Sequence, residues 1–271
     1  MVVTNNDITQ KNYKKLSIQV SLSGLSFCVF DLLSNTVQSV QSIVFPKNSI
    51  IEEVLWKVFI DYPILSQSYD EVFVLHDNNL NTFVPTSLFD EKYLGSYLQY
   101  NVKVFETDLF SFDTLHSNEM NNVYVPYVNV NNFLLDQYTT FTYKHKNSVL
   151  VERLLKLNNS SSQEKEVYIH FQSNYFEIIV LKGNKLILFN SFEYSTPEDF
   201  IYYILFTFEQ LQLNPESVSV KMLGTISKNS EYFDIAYKYI RNCDLFDSFI
   251  LPSTFGKTDE EIRNHFILFH S

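Results

Sequence analysis

Leu16-Ser17-Ile18-Gln19-Val20-Ser21-Leu22-Ser23-Gly24-Leu25-Ser26-Phe27-Cys28-Val29-Phe30-Asp31 sets the pattern of the whole chain. Apolar and polar residues alternate from Leu16 to Ser21, which places one apolar face on a strand. Ser23-Gly24 supplies a tight turn, and Leu25 to Asp31 reads as a second strand. Ser34-Asn35 turns the chain into a third, Val37 to Phe45. Before this hairpin, Met1 to Lys15 reads as a loose polar arm. After it, Ser49-Ile50-Ile51-Glu52 has the form of a helix capping box. Ile51, Val54, Leu55, Val58 and Phe59 then form one apolar stripe at helical spacing, which Pro63 ends. Glu71 to His76 is a fourth strand, Asp77-Asn78-Asn79 a turn and Asp90 to Gln99 a helix. The order is βββαβα.

The pattern restarts after Asn158 to Lys165, the most linker-like stretch of the chain. Val167 to Gln172, Tyr175 to Lys182 and Lys185 to Tyr194 read as three strands. Thr196 caps a helix with Pro197 at its first position. Val218 to Leu223 is a fourth strand, and Ser230 caps a helix over Glu231 to Arg241. Ile169-His170-Phe171-Gln172 lies 151 positions after Ile18-Gln19-Val20-Ser21, and Ile178 to Leu181 lies 151 after Phe27 to Phe30. So long a period speaks for a duplicated fold, against two α/β units that merely share a topology. The expected division is 1–158, with an insertion at about 102–145, and 159–271. Within the insertion Val123 to Val125 and Phe141 to Lys144 read as strands and Asn131 to Gln137 as a helix; Val149 to Leu157 after it fits a helix better than a strand.

Composition narrows the function. Hydrophobic residues make up 45% and charged residues 19% of 271, the balance of a globular chain. The five glycines are too scattered for any two to share a phosphate-binding loop, which excludes the glycine-rich nucleotide cradles. A net charge of −11 without a basic cluster argues against nucleic acid and anionic membrane as partners. Cys28 and Cys243 stand alone, as in a reducing cytoplasm. The first fifteen residues lack the apolar core of a signal peptide, so a cytoplasmic location is expected.

Duplicated βββαβα halves that each open with a hairpin resemble the actin-like ATPase fold, two ribonuclease-H-like domains of α/β class with mixed sheets around a nucleotide cleft. Its pilus-assembly members are the best template. The whole chain more closely resembles the bacterial Domain of Unknown Function 3822 family. The matching stretches are Leu16 to Cys28, Val84-Pro85-Thr86-Ser87-Leu88-Phe89-Asp90 and Pro197 to Leu205 with the following Glu209-Gln210-Leu211. That resemblance implies a fold and no activity.

In active actin-like ATPases two Asp-x-Gly motifs hold magnesium and phosphate, and paired glycines hold adenosine. The resemblance carries these positions onto Gln19 and Ser21, onto His170 and Gln172, and onto Gly224 and Thr225. Gln19 and His170 supply no hard anionic oxygen for Mg²⁺, and Ser21 and Gln172 put side chains where backbone should approach phosphate. The expected site is therefore degenerate, with no catalytic residue, no metal and no cofactor. The alternative is an ATP–Mg site built on side chains such as Ser21, Ser23 and Thr225.

His170 on an alternating strand reads as a hydrogen-bonded structural residue, with Gln19 a possible neighbour across the cleft. A small-molecule hydrolase centred on His170 is a weaker reading. His265 and His270 lack metal-pair spacing. The acidic groups at Glu52-Glu53, Asp90-Glu91 and Asp259-Glu260-Glu261 suit first helical turns. His265 to Phe269 is too apolar for a free tail. The sequence thus predicts a non-catalytic protein that acts through an unidentified protein partner or through self-association.

Overall fold

The computed structural model describes residues 11–105, 107–115, 119–158, 164–247 and 256–271. Its elements up to the fourth strand are β1 (Lys14–Val20), β2 (Gly24–Asp31), β3 (Thr36–Val44), α1 (Ile51–Asp61) and β4 (Glu71–His76). There follow β5 (Asn81–Pro85), α2 (Leu94–Leu98), β6 (Ser111–Leu115), β7 (Met120–Tyr124), α3 (Val128–Gln137), β8 (Thr142–His145) and α4 (Lys146–Leu157). The second half carries β9 (Lys165–Phe171), β10 (Tyr175–Lys182), β11 (Lys185–Glu193), α5 (Pro197–Gln210), β12 (Ser219–Gly224), α6 (Glu231–Tyr239) and β13 (Asn242–Leu245). Two short helices, α7 (Asp259–Asn264) and α8 (Phe266–Phe269), come last.

Two five-stranded mixed sheets have the same order, β3-β2-β1-β4-β8 and β11-β10-β9-β12-β13. In each, a three-stranded antiparallel meander continues through two parallel strands. The likeness extends to single bonds. Asp77 N–H donates to Val20 O at 2.8 Å, and Thr225 N–H donates to Phe171 O at 3.0 Å, each just past the end of the fourth strand of its half.

Alternation decides which core each strand residue joins. Phe27 and Val29 of β2 pack with α1 and α3 on the outer face, while Cys28 and Phe30 face inward. In β10, Ile178 and Val180 meet α5 and α6, while Ile179 and Leu181 face inward. The inner faces share one apolar core with Leu150, Leu154, Phe266 and Phe269, so α4 and α8 lie between the sheets. Strands buried on both faces need apolar side chains on both, which explains the unbroken run of β10. The apolar tail packs back on the body: Cys28 Sγ approaches Leu268 O at 3.6 Å, and the rings of Phe30 and Phe269 meet edge to face.

Several boundaries differ from expectation. The expected arm lies outside the described residues up to position 10, but β1 already begins at Lys14, because the Asp70 carboxylate accepts from the N–H groups of Asn12 and Lys14. The capping box at Ser49 does not form: its hydroxyl donates to Pro46 O at 2.6 Å, and Ile50 stands at the cap position. The Thr196 cap does form, completed by Asp199. Asp90 to Gln99 divides into a 3-10 turn, Glu91–Tyr93, and α2. The separate sheet β5-β7-β6 was legible only at β7, and β13 went unread. Residues 159–163 of the expected linker lie outside the described residues.

Candidate functional site

Side chains at or just past the carboxyl ends of β1, β4 and β9 meet across the junction of the two sheets in one chain of polar contacts. At its centre the Lys146 ammonium lies 2.8 Å from Asp77 Oδ1, 2.8 Å from Glu177 Oε1 and 2.8 Å from Tyr175 Oη. The ammonium thus hydrogen-bonds Tyr175 and is ion-paired with both carboxylates. Tyr175 donates its hydroxyl to Asp77 Oδ1 at 2.7 Å, and Gln19 donates to Asp77 Oδ2 at 2.7 Å. On the other side His170 Nδ1 lies 2.8 Å from Glu177 Oε2, and Gln172 Nε2 reaches His170 Nε2 at 3.3 Å. With the Gln172 amide as donor, His170 carries its proton on Nδ1 and donates to Glu177.

Each member is delivered by a regular element. Glu177 stands directly opposite His170 in the β9–β10 pair. Asp77 follows the last residue of β4, as Thr225 follows β12. Lys146 opens α4, whose first turn is sunk in a second polar cluster: Asn147 donates to Asn81, Asn122 to Ser148, and Ser148 to Asp113. The Asp113 carboxylate also accepts the His145 N–H at 2.8 Å, so an acid sits at the positive end of the helix. The small sheet therefore fixes the start of α4 and aims Lys146 at the cleft.

The Lys146 side chain is fully buried, as is that of Glu177, so their charges persist only because they are paired. Burial raises the Asp77 and Glu177 pKa values, but the Lys146 ammonium and the surrounding hydrogen bonds outweigh it and hold both below the usual carboxylate range. Burial lowers the Lys146 pKa, and the two carboxylates more than reverse this, keeping it well above its ordinary value. Burial also lowers the pKa of His145 to about 3, helped by the adjacent Lys146 ammonium, so that imidazole is neutral.

Of the six positions singled out in the sequence, Gln19, His170 and Gln172 belong to this chain of contacts and the other three do not. Gln19, a possible neighbour of His170 from the sequence, bonds Asp77 instead, and Asp77, Lys146 and Glu177 stand between the two. Ser21 closes its own hairpin, its hydroxyl donating to Gly24 O at 3.2 Å. Gly224 has φ +90°, and a Cβ there would stand 2.2 Å from Phe171 O. Its glycine is required by the β9–β12 contact whatever else the position once held. Thr225 is exposed and turns its hydroxyl onto Phe171 O at 3.3 Å. Asp77 had read as a turn residue. Glu177 carried a usable signal, a lone acid within Phe176-Glu177-Ile178-Ile179-Val180-Leu181, where a buried charge demands a partner. Nothing local marks Lys146 as buried. No group of three or more His, Cys, Asp and Glu able to hold a metal occurs among the described residues. Nor is any described helix long and apolar enough to cross a membrane.

The chain belongs to the family described as Protein of unknown function (DUF3822), which it matches over residues 4–243. Its structure is similar to a Bacteroides thetaiotaomicron protein with actin-like ATPase fold and unknown function, at 23% identity and a TM-score of 0.80, covering 94% of this chain and 96% of that one. It is also similar to a chain of a PilM–PilN type IV pilus biogenesis complex, at 13% identity and a TM-score of 0.60, covering 94% and 96% respectively. No curated protein matches the sequence. The fold is thus that of the actin-like ATPases.

Proposed function

We propose that this member of the DUF3822 family is a non-catalytic actin-like protein that acts by binding another protein or a second copy of itself. The observation that carries the reading is the position of Lys146. Two carboxylates, Asp77 and Glu177, approach each other at the junction of the two halves, beside Gln19 and His170, the positions that the actin-like resemblance assigns to magnesium. The cation between them is the protein's own ammonium, ion-paired with both carboxylates and hydrogen-bonded to Tyr175. Phosphoryl transfer depends on a metal that neutralises phosphate charge and on backbone that closes around it. Here Gln19 and His170 are committed to the carboxylates, and the hairpin turn at Ser21 is closed on itself. The same ion cluster ties the end of β4 and the start of α4 to β10.

A protein partner is also in keeping with the similarity to a chain from a two-protein pilus complex, though that complex's composition is a property of that assembly. The test is sedimentation of the purified chain, together with affinity capture from its own cell and reconstitution of any captured pair from purified components. Concentration-dependent association, or a reconstituted heteromeric complex, is expected. A chain that stays monomeric and reconstitutes with nothing it captures would contradict the reading.

A further inference from the structure

β5 ends one sheet and β11 ends another, and one open groove of about 300 Å³ runs between them. It is lined by consecutive residues, Leu186 to Ser191 on β11 and Asn81 to Phe83 on β5. A groove over a sheet face would be lined by alternate residues, so this one follows the strand edges. Each strand pairs on one side only, with β10 and with β7. Every second residue of such a strand turns its N–H and C=O away from its neighbour. On β11 the parity is visible at Ser191, whose N–H is met by its neighbour's side chain, Asn190 Oδ1, at 2.9 Å. By the period of two, the Phe189 N–H points the same way. The rings of Phe83 and Phe189, 4.8 Å apart, join the two strands.

In a chain of net charge −11, none of the residues lining this groove is ionisable. Asn79, Asn101 and Asn190 supply amides, and Ile187 and Leu188 supply apolar surface. The groove continues past Pro85 and Leu186 toward Glu119 and Lys185, where charges first appear. A second polypeptide offering an extended, uncharged segment matches both properties: its main chain pairs with an open edge, and its neutral side chains need no counter-charge.

We infer that the groove between β5 and β11 receives an extended, uncharged segment of a partner polypeptide, which adds as a strand to the edge of β11. This rests on the reading that the chain acts through a protein partner. Asn81 also bonds Asn147, the residue after Lys146, so the groove floor is tied to the ion cluster.

The test uses the whole chain and a phage-displayed library of random dodecapeptides, with enriched peptides remeasured by fluorescence anisotropy. Two groove variants are compared, Ile187→Arg and Asn190→Lys, both at exposed positions whose melting is checked first. The expected peptides are uncharged at their centre and lose affinity by about tenfold or more on either groove variant, the scale of one lost strand contact. N-methylation along the peptide should weaken binding at every second residue. Peptides whose binding ignores both variants, or whose N-methyl scan lacks that alternation, would overturn the inference. A library that enriches nothing would overturn it too. None of those outcomes touches the reconstituted partner complex that tests the function itself.

Discussion

Lys146 Nζ and Glu177 Oε1 lie 2.8 Å apart with both side chains fully out of water, and they join the helix between the sheets to the second strand of the far sheet. A contact of this kind contributes little when intact and costs much when halved, because the remaining charge has no solvent to retreat to.

Lys146→Met should therefore destabilise the fold by about 3–5 kcal/mol, the range for removing one partner of a buried pair. Lys146→Arg should also destabilise, since a planar guanidinium fork cannot meet three oxygens arranged around one nitrogen. Urea unfolding midpoints at pH 7 check both. A Met variant as stable as the parent would show that the pair does not bind the halves together.

Tyr175→Phe removes one acceptor from Lys146 and one donor from Asp77 while leaving the ring over the ammonium, 4.8 Å from its centroid. The expected loss is about 1–3 kcal/mol, the cost of leaving buried polar groups unmatched. Tyr175→Phe combined with Lys146→Met should cost less than the sum of the two, because they act on one network.

Acid should weaken the protein in two stages. His145 and His76, lowered by burial to about 3 and about 4, stay neutral when folded but take a proton near 6.5 when unfolded. Their contribution is complete above that value and is lost as pH falls, at up to about 1.4 kcal/mol per pH unit for each. Asp77 and Glu177 are depressed, so theirs is present above about pH 4 and is lost as pH falls through their folded values. Unfolding midpoints measured from pH 8 to pH 4 should begin to drop near 6.5. A flat profile to pH 5 would contradict the first stage.

Gly224→Ala should cost more than Gly256→Ala. Both have positive φ, which alone costs a side chain roughly 1–2 kcal/mol. Only at Gly224 would the new Cβ also meet described backbone, at Phe171 O; around Gly256 no described residue comes within 4 Å. Melting temperatures of the two variants decide it.

The fold was readable where pattern and period agree. The alternation at Leu16 to Ser21 and its repeat at Ile169 to Gln172 mark two strands with the same neighbours in the two sheets. Elements that owe their form to tertiary partners were not readable. β6 carries Asp113, whose carboxylate serves α4, and α4 begins three residues earlier than its apolar stripe because the ion cluster holds Lys146 and the small sheet bonds Asn147 and Ser148. The site was half legible. Motif positions led to Gln19 and His170, but the residues that neutralise one another lie in a turn, a helix start and a strand, and only Glu177, alone among apolar neighbours, carried a sign of its role.

In the proposed function the Lys146–Asp77–Glu177 cluster leaves no place for a magnesium nucleotide. Thermal melting with increasing Mg-ATP tests it most directly, since any ligand of the folded state raises the melting point in proportion to the logarithm of its concentration once it exceeds its dissociation constant. The same melting point at every concentration is expected. A rise of several degrees that grows with Mg-ATP would contradict it.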